Sequence, residues 1–453
     1  MILLLACAEP EAPSAAAPST TAAATAPDLV LIGVAGLRSD PVSRTSDWFF
    51  QAYASEHGVV FSNAYAATPS TFVSLGSLLT GRYPSNIPMC GFPWDPEDPP
   101  GQAPWCTTLP DVPTLPSVLA LYGYRTALLT ADVQGAASLG VPFQDRLVVS
   151  ERWSDTTTDW QKVTEAATKW WDADATHPRL LVVATAGMNV RTARELREKT
   201  GLDKVDSEGA PTDVNGRRVL GRYREAATQA GKDTHALLDT LRGRSTRPTW
   251  AAVFGINGIN LGDSSVPSHA LRGRSWSDIL IDRTVHVPLA LVGPSHGPAA
   301  HIESQVVELV DLLPTLVKLG GGVVPASLPG QDLLSLTTDP EATAYAEFGD
   351  MLAVRRGDWF WSVRAFFFNR SSLDPELTNF VVDYRPNPAK MWLNRLENDP
   401  FQERNLLQSE PAQAEAMNAL LVRLRTGPGA PPPGGLDARK IWELRMSPAD
   451  GYW

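Results

Sequence analysis

Residues 66–84 read AATPSTFVSLGSLLTGRYP, and the reading of the whole chain turns on reconciling the two halves of this run. The second half, LLTGRYP, is a specific pattern. The first half offers hydroxyls and apolar side chains. Ser70 and Ser74 suit the N-cap and first turn of a helix, Thr71 lies between them, and Val73 and Leu75 are apolar. A Thr hydroxyl is a weak nucleophile unless a base or a metal ion activates it.

Outward from this run, short apolar stretches alternate with amphipathic ones. DLVLIGVAGL (28–37), VVFSNAYAA (59–67), YRTALLTA (124–131), RLLVVATAG (179–187), TWAAVFG (249–255) and HVPLALVGP (286–294) read as strands. WFFQAYASEHG (48–58), LPSVLALYG (115–123), the segment around 213–245 and VELVDLLPTLVKLGG (307–321) read as helices. This alternation predicts an α/β domain over 28–335 with a mainly parallel sheet covered on both faces. Beyond about 340, EATAYAEFG, MLAVRRGDWFWSVRAFFF and FVVDYRP predict strands of a small antiparallel sheet. With the helix EPAQAEAMNALLVRLR (410–425) they make a C-terminal subdomain over 336–425, followed by a tail, 426–453, that opens Pro/Gly-rich. No internal repeat is visible.

The 453 residues, 43% of them hydrophobic, suffice for a large core. A net charge of −11 without a Lys/Arg-rich run argues against nucleic-acid binding. No apolar run after the N-terminus approaches the ~20 residues that span a bilayer.

The N-terminus MILLLAC ends in Leu4, Leu5, Ala6 and Cys7, which resembles a shortened bacterial lipoprotein signal box. The resemblance implies a signal over 1–7 and a lipid on the Cys7 sulfur. Residues 8–27 are almost wholly Ala, Pro, Ser and Thr, a composition that stays extended and serves as a tether. The expected location is therefore exported and lipid-anchored in the envelope, the lipid being the only link to the membrane. The outer membrane is favoured because Ala8, not an acid, follows Cys7. Cys90 and Cys106 flank a Pro-rich loop; in an exported protein a disulfide is expected, with two unrelated thiols as the alternative.

Several segments, in order, resemble the sulfatase branch of the alkaline phosphatase superfamily: LVLIGVAGLRSD, GVVFSNAYA (58–66), SLLTGRYP (77–84), LPDVPTLPSVLALYGYRTA (109–127), VHVPLALVGP (285–294), VVELVDLLPTLVKLGG (306–321) and LENDPFQERNLL (396–407). The resemblance implies an α/β core with a mixed, mainly parallel sheet sandwiched by helices, and a C-terminal subdomain with a four-stranded antiparallel sheet. It also implies a register for the active site. The family's first metal-binding acids fall on Ala35 and Gly36, its formylglycine precursor on Thr71, and the Arg that steadies it on Leu75. Its Lys and His fall near Ala131 and Val133, and a further His and Asp-Pro-His motif near Ala184, Gly187 and Asn189. Its last metal ligands fall on Ile256 and Asn257, ahead of Gly258, and among these groups only Asn257 keeps a ligand atom.

Sulfate ester cleavage needs a hard cation held by several oxygens, which offsets charge in the transition state. Ala, Gly and Ile supply no such side-chain oxygens, so neither a metal nor a catalytic residue is expected. His57, His177, His235, His269, His286, His296 and His301 include no HxH or HExxH pair. Asp40 and Asp263, just past the lost ligands, read as surface or capping acids. Trp170, Trp171, Trp276, Trp359 and Trp361 read as packing, with sugar stacking as the alternative.

The expected function is that of a pseudoenzyme that binds or scaffolds a glycan or protein at the cell envelope, without a cofactor. The alternative is an active sulfuric or phosphoric ester hydrolase with Thr71 as nucleophile and relocated Ca²⁺ or Zn²⁺ ligands. A purely structural surface protein is a third reading.

Overall fold

The computed structural model describes residues 26–39, 53, 58–87, 112–131, 139–150, 158–186, 214–260, 280–294, 301–326, 328–348, 351–364, 391–400 and 402–426. Strand β1, Asp28–Ala35, is buried along its whole length and sits in the middle of the main sheet. Parallel neighbours flank it: β5 (Arg179–Thr185) on one side and β6 (Thr249–Asn257) on the other. Beyond β5 lie β3 (Arg125–Ala131) and the edge strand β4 (Asp145–Ser150), both parallel. Beyond β6 lie β7 (His286–Val292) and β2 (Gly58–Tyr65), where the direction reverses. Short strands β8 (His301–Glu303) and β9 (Val307–Glu308) pair with β2 in parallel. The sheet is mixed and mainly parallel, as the resemblance implies.

The alternation of side chains on β1 explains the layers. Leu29, Leu31 and Ala35 face α1 (Thr71–Thr80), α2 (Leu115–Leu121) and α5 (Leu312–Leu319). Val30 and Ile32 face the other way, towards α3 (Trp160–Asp172) and α4 (Val214–Arg244). Trp171 on α3 is fully buried; side chains of this class contribute about 2–3 kcal/mol each on burial.

Residues 307–321, expected as a single helix, divide into β9, a 3-10 turn over Leu309–Asp311 and α5. Pro314 supplies the reason. It lacks the N–H that a longer helix would direct at residue 310, so it is tolerated only in a first turn. Gly58, expected to stop a helix, opens β2 instead; the expected helix 48–58 otherwise lies outside the described residues except for Tyr53.

The second sheet is antiparallel and runs in chain order: β10 (Thr343–Phe348), β11 (Met351–Arg356), β12 (Trp359–Arg364) and β13 (Met391–Arg395). FVVDYRP lies outside the described residues, and the fourth strand is MWLNR. Helix α6 (Pro411–Thr426) covers this sheet through Ala414, Met417 and Leu421. Ala67, Tyr83 and Val310 join the same apolar cluster and so bind the subdomain to the main sheet.

At the edge where β1 starts, the chain is pinned. The Tyr124 hydroxyl donates to the Pro27 carbonyl at 2.8 Å, and Arg247 Nη1 donates to that of Ala26 at 3.2 Å. Asp28, fully buried, pairs with Arg179, whose guanidinium lies 4.0 Å from the Trp171 ring centroid.

Candidate functional site

The candidate site lies at the opposite edge, where β1 and β6 end and α1 begins. Ala35 closes β1 and pairs with Asn257, the last residue of β6, across a register shift. The chain turns at Gly36, whose φ of 73° favours glycine. The Gly36 carbonyl accepts a hydrogen bond from the Tyr223 hydroxyl at 2.9 Å, and that hydroxyl accepts one from the Arg38 N–H at 2.9 Å. Arg38 is itself buried, with Nη1 donating to the Ile259 carbonyl at 3.3 Å.

Helix α1 is stapled to the end of β6. Thr71 Oγ1 donates to Asn257 Oδ1 at 2.8 Å, and Ser74 Oγ donates to the Ile256 carbonyl at 2.5 Å. Asn257 Nδ2 donates to the carbonyls of Pro69 at 2.9 Å and Gly258 at 2.8 Å. The Asn257 amide thus has both N–H groups and its oxygen engaged. Ser70 holds the N-cap position, but its side chain makes no capping bond. Gly258 has no room for a side chain, since a Cβ would meet the Arg283 carbonyl oxygen at 2.0 Å.

The neighbouring positions have become core. Ala35, Leu75, Ala184 and Ile256 all belong to one apolar cluster, and Ile256 is fully buried. Ala131 packs in the cluster on the other face of the sheet. A hard divalent cation needs several oxygen donors. Ala35, Leu75 and Ile256 offer none from their side chains, the Gly36 carbonyl is taken by Tyr223, and the Asn257 oxygen by Thr71. Among the described residues, the side chains at these positions do not fit such a cation. Among the described residues no group of three or more His, Cys, Asp or Glu side chains is arranged to hold one.

Val133, Gly187, Asn189, Asp40, Asp263, His57, His269, His296, Trp276 and the cysteines Cys7, Cys90 and Cys106 lie outside the described residues, as does the tether up to residue 25. His177 pairs with Asp174 at 2.7 Å on the surface, and His235 with Asp239 at 3.0 Å along α4. His301 is exposed on edge strand β8. Trp170, Trp171 and Trp361 are buried, which rules out sugar stacking on them, while Trp359 is half-buried with the Arg395 guanidinium 5.7 Å from its ring centroid.

One polar group near the site was not anticipated. Asp282 Oδ1 accepts from the Tyr65 hydroxyl at 2.9 Å, and Oδ2 lies 3.2 Å from His286 Nδ1. His286 Nε2 lies 3.0 Å from the Ser62 carbonyl oxygen, and the His286 ring stacks on Tyr65 at 4.8 Å. Burial alone would raise the Asp282 carboxyl, but His286, Arg355 and the Tyr65 hydroxyl outweigh it and hold the carboxyl below its ordinary range. The spacing of Asp282 and His286, four apart just before β7, is the signal that could have found it.

A family model described as Sulfatase matches residues 35–323. Arylsulfatase K of Mus musculus is 32% identical over 130 residues, a match spanning 23% of this chain and 23% of that protein. The chain thus spans less than a quarter of that curated relative. Among solved structures, a 2-O GAG sulfatase superposes with a TM-score of 0.60 at 16% identity, covering 87% of this chain and 91% of that one. The phosphonate monoester hydrolase of Agrobacterium radiobacter gives 0.58 at 14% identity, covering 88% and 95%. At such identities these structures show a shared fold.

Proposed function

This chain belongs to the sulfatase family, and we propose that it is a member that has exchanged ester hydrolysis for recognition, a pseudoenzyme that binds or scaffolds at the cell envelope. One observation carries the reading. Ala35, Leu75 and Ile256, which stand where the family's acids and arginine are expected, share one apolar cluster, while the Thr71 hydroxyl is spent on Asn257. A hydroxyl that faces a neutral amide oxygen has neither a base to take its proton nor a cation to lower its pKa. The reading includes a lipid on Cys7 and a Cys90–Cys106 disulfide.

The pinning of Ala26 and Pro27 supports an outward-facing site. A tether ending there leaves from the edge where β1 starts, whereas Thr71 and Asn257 lie at the edge where it finishes, so a ligand, glycan or protein, would meet the face turned from the anchor. No described helix is long and apolar enough to cross a membrane.

The test pairs metal analysis of the purified protein with sulfatase, phosphodiesterase and phosphonate-ester assays, beside Thr71→Ala. The expected result is no stoichiometric metal and no turnover in either protein. About one Ca²⁺ or two Zn²⁺ per chain, with turnover that vanishes in Thr71→Ala, would establish a hydrolase with relocated ligands instead. A glycan-binding screen then separates a recognition role from a purely structural one.

A further inference from the structure

The main sheet and the C-terminal sheet meet across buried acids and tyrosines that the candidate site does not use. Glu308 ends β9, Asp311 closes the 3-10 turn, Tyr83 follows α1, and Tyr345 and Glu347 lie on β10. Each oxygen of Glu308 accepts one hydrogen bond: the Tyr83 hydroxyl donates to Oε2 and the Tyr345 N–H to Oε1, both at 2.8 Å. The N–H groups of Glu308 and Gln331 donate to the two oxygens of Asp311, again at 2.8 Å. The Tyr345 hydroxyl donates to Glu347 Oε2 at 2.9 Å, and the Ser85 N–H to its Oε1 at 2.6 Å. The rings of Tyr83 and Tyr345 meet edge to face at 4.9 Å. The bonds to Glu308 and Glu347 therefore join both sheets.

Every donor that reaches Glu308 and Asp311 is a phenol or a backbone amide. Among the described residues neither carboxyl has a cationic partner; the nearby Lys318 pairs with Asp332 at 3.2 Å. The titratable groups acting on Glu308 are Asp311 and Tyr83; Tyr345 acts through its backbone N–H, and its hydroxyl leads on to Glu347. Two carboxylates buried side by side without a counter-charge are strongly disfavoured, and a proton from solvent relieves both the desolvation and the repulsion.

We propose that Glu308 and Asp311 form a proton-operated latch, closed when the pair is protonated and the C-terminal sheet is held against the main sheet, and loosened when the pair ionises and its protons leave to solvent. Burial first, then the Asp311 charge, raises the Glu308 carboxyl above its ordinary range, and burial raises that of Asp311. The folded chain thus binds protons more tightly than the unfolded one. Its linked stability is full below the ordinary values of 4.5 and 3.8 and is lost as pH rises through the neutral range.

Hydrogen exchange of the full chain at about pH 5.5 and about pH 8.5 tests this, each rate corrected for intrinsic chemistry. The expected result is that amides of β10 and β13 open more often at the higher pH, by up to about tenfold per pH unit, while β1 and β5 do not. In Glu308→Gln, which keeps the shape and removes the titration, that pH dependence should flatten. Equal pH dependence in wild type and variant would overturn the latch, as would loosening of both sheets alike. Should Glu308→Gln fail to fold, Asp311→Asn and infrared titration of the wild type decide the matter. No carboxyl titrating between about pH 6 and about pH 9 would then refute it.

Discussion

Placing a carboxylate at the end of β6 by Ile256→Asp asks directly whether any cation can settle there. Ile256 is fully buried, and its side chain fills the space left by Gly33, where a Cβ would meet it at 2.7 Å. Losing that buried side chain costs about 2 kcal/mol. The new carboxyl adds a second cost, which protonation caps. At about 1.4 kcal/mol for each unit between an ordinary Asp near 4 and the solution pH, the cap is about 4 kcal/mol at pH 7 and about 1.5 at pH 5.

The expected loss is thus about 6 kcal/mol at neutral pH, a large part of a typical domain's stability, with nearly half recovered by acidification. A metal ion at about a hundred times its Kd would return about 2.7 kcal/mol. None is expected to, because Ala35 brings no second acid and the oxygens of Gly36 and Asn257 are already engaged. The assay is urea unfolding near pH 7 and pH 5, with and without millimolar Ca²⁺ or Zn²⁺, beside Ile256→Asn as the neutral control. Recovery of more than about 2 kcal/mol on adding metal, in the Asp variant only, would refute the reasoning.

Asp28→Ala strips the partner from Arg179, which Asp28 holds through its backbone N–H at 2.9 Å and Nε at 3.1 Å. Leaving that guanidinium buried and unpaired should cost about 3–5 kcal/mol in urea unfolding, and a loss under about 1 kcal/mol would show that stacking on Trp171 suffices. Asp282→Asn addresses acid stability. Because the Asp282 carboxyl lies below its ordinary 3.8, its contribution is present above that pH and lost as pH falls through the depressed value. Acid unfolding followed by circular dichroism should show wild type losing stability below about pH 4, with a shallower slope in the variant; equal slopes would refute the role.

The strands were legible wherever both faces are buried. β1, β5 and β6 are near-continuous apolar runs because helices cover them on both sides. β4 was not legible: it is a half-exposed edge strand, and DRLVVS mixes polar and apolar residues without a clean period. β13 escaped because MWLNR is five residues long and follows a long gap from β12. α3 was also overlooked despite its amphipathic spacing.

At the site, Ala35, Leu75 and Ile256 could be placed because the motifs that resemble the family, LLTGRYP among them, fix the register. The Thr71–Asn257 bond could not, since it joins residues 186 apart and neither side chain carries a periodic signal. The acids of the joint were hidden for a related reason. Glu308 and Asp311 sit inside an apolar stretch that reads as helix, and only the tertiary contact with β10 buries them together.

Burying an acid requires something to offset its charge, and three buried sites meet that need differently. Asp28 has a guanidinium, Asp282 has an imidazole with a guanidinium near by, and Glu308 with Asp311 has neither. A metal ion is another solution, and it demands several gathered oxygen donors, which the side chains of Ala35 and Ile256 in the apolar cluster do not supply. Asp282, near the candidate site, and the Glu308–Asp311 pair, at the joint between the sheets, act in opposite directions. Asp282 contributes as pH rises above its ordinary value, whereas the Glu308–Asp311 pair, raised by burial, loses its contribution as pH rises.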